Sequence, residues 1–446
     1  MSELESGLSP EERHQRAAGR GGMSLWAKAF GAGCIVATTA VLVSQIYAVF
    51  VQEGKPLNSL NPQGPKAQTI QNLVLPVFVI AGIVLVGFCG AVLFIAWKFR
   101  QRPGEEHLHG TQTEGNLPVE LTWTAIPALI LFGVAVGTII TSLELEPKVG
   151  PDTLEVRVVG QQWWWAFDYD LDRDGTFDDL TTVGELVIPT GVDVNLRITS
   201  NDVIHSYWIP ELNGKKDAVP GQINDWSLRA DEVGTYLGTC TEFCGLSHAN
   251  MRMLVRSVPP EDFDAWVENQ QRPAVEPEQG TLAAEGKDVF MSQLCSSCHL
   301  IRGVNDDKVA DPETGVTSLL VAGYAPDLTH LASRGTFAGA IFNLHYPNPA
   351  GNNQPFGATC TEEDLRDPAT RDRCGDPLDN SLPGNPDNPV YRPNLASWLR
   401  DPVAMKPMAP YEIENPYAEG RVRGMPALGL SEEQIDQLVA YLEILK

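Results

Sequence analysis

Three long apolar stretches constrain this chain before anything else does. They cover residues 29–51, 73–97 and 121–143 of 446. Each is near the ~20 residues that a helix needs to cross a bilayer. Backbone polar groups in hydrocarbon must be satisfied within their own segment, so helices are the form expected there. The first stretch follows a basic segment with Arg13, Arg16, Arg20 and Lys28. That is the layout of a signal sequence, but the apolar part is long for one. Ala32-Gly33-Cys34 has the form of a lipoprotein cleavage site, yet the apolar run continues well past Cys34, which favours an uncleaved anchor. Lys98, Arg100 and Arg102 follow the second stretch. The positive-inside rule places both basic segments in the cytoplasm, so residues 52–68 and everything beyond Leu143 are expected outside.

The formal net charge of -25 excludes a nucleic-acid binder, which would need clustered Lys and Arg. It fits an acidic exported surface or a basic protein partner. From about residue 153 to 258 the hydrophobic period changes to two. Val192, Val194, Leu196 and Ile198 alternate with Asp193, Asn195, Arg197 and Thr199, and TLEVRVVG and QWWWAFDY read the same way. Several short strands predict a small β-sandwich or barrel. Residues 259–280 are rich in Pro, Glu and Gln and read as a linker, with one helix over DFDAWVENQ. Beyond lies helical, loop-rich sequence with an inserted loop at about 341–390, dense in Asn, Pro, Gly and Asp. SEEQIDQLVAYLEIL closes the chain as an amphipathic helix, with Ser431 and Gln434 forming a capping box.

The eight cysteines divide by surroundings. Cys34 and Cys89 lie in apolar runs and read as inert packing residues. Cys240 and Cys244 belong to CTEFCGLSHANM, with Glu242, His248 and Met251. Thiolate, thioether and imidazole together select copper, and two thiolates on one loop can bridge two metals. His205, in VIHSYWIP, is a further imidazole placed to join them. A Cys2His2 zinc site or a Cys240–Cys244 disulfide would leave Glu242 and Met251 unexplained.

The pattern C-x-E-x-C-x-x-x-H-x-x-M, preceded by H-S-x-x-x-P, resembles the CuA site of cytochrome c oxidase subunit II. VELTWTAIP at 119–127 and GQQWWWAF at 160–167 extend the resemblance over about residues 61–259. It implies a transmembrane hairpin and a cupredoxin-like sandwich. It makes Cys240 and Cys244 bridging thiolates, with His205, His248, Met251 and the Glu242 carbonyl completing a two-copper site. It also implies that the Glu242 side chain meets magnesium at the subunit I boundary, that electrons reach CuA through Trp163, and that Glu120 stands at a proton-channel mouth in subunit I. The plain alternatives are core packing for Trp163 and a solvated membrane-edge carboxylate for Glu120. The family's usual PGR reads Pro220-Gly221-Gln222 here, which alters the hydrogen bonding expected near the magnesium. Nitrous oxide reductases carry a similar loop, but with Trp at the Glu242 position and no membrane hairpin.

LCSSCHL supplies Cys295, Cys298 and His299, the C-x-x-C-H signature of covalent haem c. Its alternative is a redox C-x-x-C. Candidates for the sixth ligand are Met405, Met408 and Met425, with His345 as an outsider. Met425, in GMPALGLS, is chosen because that stretch resembles the Met loop of class I cytochromes c. APDLTHL at 325–331 resembles the loop whose proline carbonyl orients the haem histidine, and His330 reads as a surface or packing residue. Cys360 and Cys374, in the insertion, are expected to form a disulfide. DLDRDG at 170–175 opens like a calcium loop, but the closing Glu position is Thr181, so a β-turn is expected, with a weak cation site as the alternative.

The fold expected is thus a multidomain membrane protein: 1–52 an N-terminal segment with signal/anchor helix, 53–150 a transmembrane helical hairpin, 151–258 a cupredoxin-like domain, 259–280 a linker, and 281–446 an all-α cytochrome c domain. The function implied is a respiratory electron relay on the outer face of a bacterial cell membrane. Electrons would pass from haem on His299, near Trp163, to CuA, and on to subunit I, where oxygen is reduced and protons are pumped. Partners implied are subunit I, the other oxidase subunits, and an external cytochrome c or a quinol–cytochrome c reductase as donor. A copper-delivery module would explain the soft ligands and the anchor but not the haem signature. A free-standing membrane electron shuttle differs by having no oxidase.

Overall fold

The computed structural model of the chain describes residues 57–100, 115–147, 150–306, 308–310, 317–319, 325–345, 389–408 and 424–446. The first apolar stretch with Cys34, and most of the inserted loop with the Cys360–Cys374 pair, lie outside the described residues. The chain divides into two units, Met1–Gly54 with Gln71–Glu144, and Lys55–Ile70 with Leu145–Lys446.

In the first unit, the second and third apolar stretches are helical. They fall within α1 (Pro65–Lys98) and α2 (Leu117–Leu145), each long and apolar enough to cross a bilayer. Phe88, Val86, Phe132 and Leu131 stand exposed on them, as side chains that face lipid do. Pro76 and Pro127 lie inside these helices, where each removes one backbone donor.

The second unit holds two large hydrophobic cores and a small third cluster of Leu237, Leu254 and Ala340. The first is a sandwich of β1 (Leu154–Gln161), β2 (Trp164–Asp170), β3 (Leu180–Val183), β4 (Glu185–Pro189), β5 (Val194–Ser200), β6 (His205–Tyr207), β7 (Lys216–Ala218), β8 (Asn224–Leu228), β9 (Gly234–Thr239) and β10 (Arg252–Val258). One sheet has the order β3-β2-β1-β5-β8, the other β4-β10-β9, and β6 pairs with β7. The period-two pattern is realised in β5: Val194, Leu196 and Ile198 are fully buried, while Arg197 and Thr199 are half-exposed. They meet Trp165, Phe167, Tyr169, Leu186, Ile188 and Val255 in one core.

The front of the expected linker belongs to this core. Residues 260–270 form α3 (Pro260–Gln270), and its Phe263 and Trp266 bury against the sandwich, with Trp266 5.7 Å from Tyr169.

The second core is mainly helical. It comprises α4 (Leu282–Ser292), the single turn α5 (Cys295–Cys298), α6 (Arg392–Arg400), α7 (Pro402–Met405) and α8 (Glu432–Leu442). The Ser431/Gln434 capping box opens α8. Helices α4 and α8 cross at Gly286, where a Cβ would come within 1.9 Å of the Gln437 carbonyl, so only glycine permits the approach. The region departs from an all-α expectation in two ribbons, β11 (Lys308–Ala310) with β12 (Thr317–Leu319), and β13 (Thr336–Phe337) with β14 (Phe342–Asn343). Strands of two or three residues are too short to show a hydrophobic period. The β13–β14 turn holds Ala338, Gly339 and Ala340 at positive φ of 56°, 78° and 56°.

Candidate functional site

Two segments assemble the soft donors. Strand β6 carries His205, and the twelve-residue loop from Cys240 to Met251 joins β9 to β10. Cys240 N–H donates to Met251 O at 3.0 Å and closes the loop at its base. Thr241 N–H donates to Ser206 O at 3.1 Å and ties it to β6. Gly245, at φ +111°, supplies a backbone conformation that L side chains rarely adopt.

Cys244 Sγ lies at the centre. It is 3.8 Å from Cys240 Sγ, 3.5 Å from His248 Nδ1 and 3.8 Å from Met251 Sδ. Cys240 Sγ lies 3.3 Å from the Glu242 carbonyl, while the Glu242 side chain is exposed. His205, Cys240 and Cys244 each place a ligand atom within 4.8 Å of the others, and all three are buried. His205 Nε2 is 2.8 Å from Asp202 Oδ1, and its buried Nδ1 has no hydrogen-bond partner. A buried ring nitrogen without a partner, beside two thiols and a thioether, is what a soft metal would occupy. Gly160 makes room for the ring, since a Cβ there would come within 2.8 Å of His205 Cδ2.

The electrostatics fit a metal as well. The hydrogen bond from Cys244 holds the Cys240 thiol well below its ordinary value, and the contact with Cys240 pushes Cys244 upward. Two thiolates this close do not both ionise without a cation between them. Burial opposes the charged forms of Asp202 and His205, yet their mutual hydrogen bond leads the opposing causes. Asp202 therefore sits below its ordinary value and His205 above.

Trp163 is 4% exposed, and its indole N–H donates to Cys244 O at 3.0 Å. Gln162 Nε2 donates to the same carbonyl at 2.7 Å. The second core reaches this point. Lys406, 3% exposed, follows α7 and donates from Nζ to Trp163 O at 2.7 Å and to Ala338 O at 2.8 Å. Ser247 Oγ donates to Pro407 O, and Arg252 N–H donates to Gly339 O at 3.1 Å.

In the second core, Cys295 and Cys298 are free thiols on α5. His299 Nδ1 donates to Pro326 O at 2.8 Å, which leaves Nε2 for a ligand. Loss of solvation holds this imidazole below its ordinary value, toward the neutral form that binds metal. Met425 and Met405 pack in the same core as Cys295, whereas Met408 packs against the sandwich core. Met425 Sδ lies 3.1 Å from Trp398 Nε1. Both ring nitrogens of His345 are taken up, at 3.2 Å from Pro389 O and 2.8 Å from Arg334 O. His330 is buried, with Nε2 2.9 Å from Arg272 O. A cavity of about 400 Å³ is bounded on the sandwich side by Gln161 and Trp164 and on the other by Leu300 and Asp327.

Glu120, in the first unit, lies in the first turn of α2, where its Oε1 accepts from Asn116 N–H at 3.0 Å. Gln222 Nε2 donates to Asn224 Oδ1 at 3.0 Å.

The sequence reading missed Asp202, Gln162 and Lys406. Asp202 stands three residues before His205, a spacing open to a carboxylate–imidazole pair. Lys406 carries no such signal.

Comparison with known proteins gives a consistent result. Residues 58–144 match the family model described as Cytochrome C oxidase subunit II, transmembrane domain, and residues 154–258 match its periplasmic domain. Cytochrome c oxidase subunit 2 of Alkalihalophilus pseudofirmus is 32% identical over 397 residues, covering 87% of this chain and 91% of the relative. Quinol oxidase subunit 2 of Bacillus spizizenii is 34% identical over 244 residues, covering 52% of this chain and 73% of the relative. The crystal structure of the periplasmic domain of subunit II of cytochrome oxidase from Bradyrhizobium japonicum matches at 28% identity. It covers 28% of this chain and 96% of that one, with a TM-score of 0.25.

Proposed function

The chain belongs to the cytochrome c oxidase subunit II family, and from that premise we propose that it relays electrons from its own covalent haem c, through CuA, to subunit I. As a member it is part of an oxidoreductase complex in which subunit II works with other oxidase subunits in a membrane. The reading goes further in assigning donors to residues. Cys240, Cys244, His205, His248, Met251 and the Glu242 carbonyl would hold the copper pair. When bound, the copper pair and the haem supply one-electron carriers.

The rest falls to the protein. Asp202 fixes His205 so that Nδ1 faces the thiols. Gln162 and Trp163 hold the Cys244 carbonyl. Trp163 touches the copper loop through its indole N–H and the Lys406 ammonium through its backbone carbonyl, which supports assigning it the bridge between the two carriers. The Pro326 carbonyl orients His299, and Cys295, Cys298, His299 and Met425 would hold the haem. The domain order of this reading is an anchor within 1–52, a hairpin to 150, a copper domain to 258, a connecting segment and a cytochrome c domain from 281. The exposed Glu242 carboxylate is assigned to a magnesium ion at the subunit I boundary, and Glu120 to the proton-channel mouth there. The Asn116 contact gives Glu120 a local capping role besides. The copper and cytochrome c domains face outward on a bacterial membrane, with an external cytochrome c or a quinol–cytochrome c reductase as donor.

The observation that carries this reading is the convergence on Cys244 Sγ of a thiol, an imidazole and a thioether within 3.8 Å. A quinol-oxidising role, which the Bacillus spizizenii relative brings to mind, gives that donor set no task. The test is metal, haem and optical analysis of the full chain. Two coppers and one covalent haem per chain, with a near-infrared band of a mixed-valence copper pair, are expected. One copper, or zinc in its place, would remove the CuA assignment. Absence of covalent haem would remove the cytochrome assignment alone.

A further inference from the structure

The loop that closes the β2–β3 hairpin holds a second donor cluster, of different chemistry. Asp170 ends β2, Leu180 begins β3, and Asp170, Asp172, Asp174, Asp178 and Asp179 lie on or beside the loop. Asp170, Asp172 and Asp174 each place a carboxylate oxygen within 4.8 Å of the others.

Like charges this close repel, and the local hydrogen bonds do not remove the charge. Asp170 Oδ2 accepts from Gly175 N–H at 3.1 Å, Asp172 Oδ1 from Asp174 N–H at 3.1 Å, and Asp174 Oδ1 from Thr176 N–H at 2.7 Å. Leu171 N–H and Asp172 N–H both donate to Asp179 Oδ2, at 2.7 and 3.1 Å. The backbone reverses at Arg173, φ +62°, and Gly175, φ +88°. The guanidinium groups of Arg157 and Arg197 lie over the Phe177 ring of this loop, each 5.6 Å from its centre. Arg157 pairs with Asp168 at 2.9 Å, and Arg173 Nη2 donates to Thr153 O at 3.1 Å.

The independent observation is Asp170 itself. It is 4% exposed, and its Oδ1 is buried with no hydrogen-bond partner. A buried, unpartnered carboxylate oxygen costs free energy unless a cation takes it up.

We propose that Asp170, Asp172 and Asp174 form a calcium site that braces the β2–β3 hairpin. All the donors are oxygen, which selects a hard cation over copper or zinc. Calcium accepts the irregular, partly hydrated shell that a loop of this kind offers, whereas magnesium demands near-ideal octahedral geometry. Thr181 occupies the position of the usual closing glutamate, and its hydroxyl donates to Asp168 Oδ1 at 2.8 Å, so it adds no bidentate ligand. The site is therefore weak, in the range of roughly 10⁻⁴–10⁻³ M typical of extracellular modules. It lies at the end of β2 opposite Trp164, so its role is to hold the sandwich and not to bind copper.

The test uses the full chain, with calcium chloride as the only added probe. The thermal midpoint is read across a titration to about ten times the expected dissociation constant. An Asp172→Asn, Asp174→Asn double variant changes only exposed side chains, and its circular dichroism should match the wild type. The wild type should gain a few degrees and the double variant nothing. Terbium emission sensitised through Tyr169, the neighbour of Asp170, should saturate in the wild type and be lost in the variant. An unchanged wild-type midpoint, an equal rise in the variant, or an equal rise with magnesium chloride each overturns the proposal. Copper and haem contents, measured on the same samples, report separately on the electron-relay reading.

Discussion

Lys406 Nζ donates to the carbonyl of Trp163 at 2.7 Å, joining the second core to the residue whose indole N–H holds Cys244 O. The ammonium is buried and also donates to Ala338 O at 2.8 Å. Lys406→Met removes both bonds and strands a buried carbonyl, a loss of about 1–3 kcal/mol. Chemical denaturation should show a lower midpoint, with Trp163 fluorescence shifted toward that of an exposed indole. The same denaturation midpoint as the wild type would mean that the contact carries no stability.

The same lysine makes a pH prediction for the copper-free chain. Burial lowers its pKa from 10.5 to about 7. Between those values the unfolded chain binds the proton and the folded chain does not, so stability rises with pH across that window. Below about pH 7 both states are protonated and the penalty is constant. The wild type minus Lys406→Met difference should therefore climb in the wild type's favour from pH 7 toward 10. A flat difference would mean that Lys406 stays protonated in the fold.

Asp202 is expected to govern copper affinity without touching copper. Its Oδ1 fixes His205 Nε2 at 2.8 Å, and a carboxylate behind a ligating histidine sets tautomer and ring orientation. Asp202→Ala should weaken copper binding by about 10–100-fold in competition with a chelator. Secondary structure by circular dichroism should be retained. An affinity equal to wild type would remove Asp202 from the site.

Much of this was legible in the sequence, and the reason differs by element. The twelve residues from Cys240 to Met251 are contiguous, so the loop's donors could be read directly. His205 needed only the neighbouring strand. β5 announced its buried face because Val194, Leu196 and Ile198 alternate with polar residues. Lys406 was invisible, because it meets Trp163 across 243 positions and contact at that range leaves no local pattern. The β13–β14 ribbon was invisible because two-residue strands have no period. The helix over DFDAWVENQ was legible in the 259–280 segment, but its docking was not, because the segment's charge hides Phe263 and Trp266, which anchor α3 on Tyr169.

Cys244→Ser addresses the centre of the proposed copper site. Cys244 Sγ is the atom nearest to Cys240, His248 and Met251 together. An oxygen there is a harder and poorer ligand for copper than a thiolate. The variant should bind at most one copper and lose the near-infrared band of the pair, while covalent haem is retained. Two coppers with the band intact would show that Cys244 is not a bridging ligand.

Under the proposed haem assignment, Met425, Met405 and Met408 are distinguished by what each packs against. Met425 packs in the core that contains Cys295, with Sδ 3.1 Å from Trp398 Nε1, and Trp398 stacks near Phe337 and Phe342 at 6.0 Å each. Met408 packs against the sandwich core, and a Cβ on Gly424 would come within 2.6 Å of its own Cβ. A methionine ligand raises haem potential, and its removal opens a coordination position. Met425→Leu should keep the covalent haem, lower its potential and admit carbon monoxide to the ferrous iron. Met408→Leu should leave the haem spectrum and potential as they are, since its contacts lie on the copper side. Met405→Leu separates the remaining case, because Met405 shares the second core with Met425. Carbon monoxide binding in the Met405 or Met408 variant, and not in Met425→Leu, would transfer the ligand role to that residue.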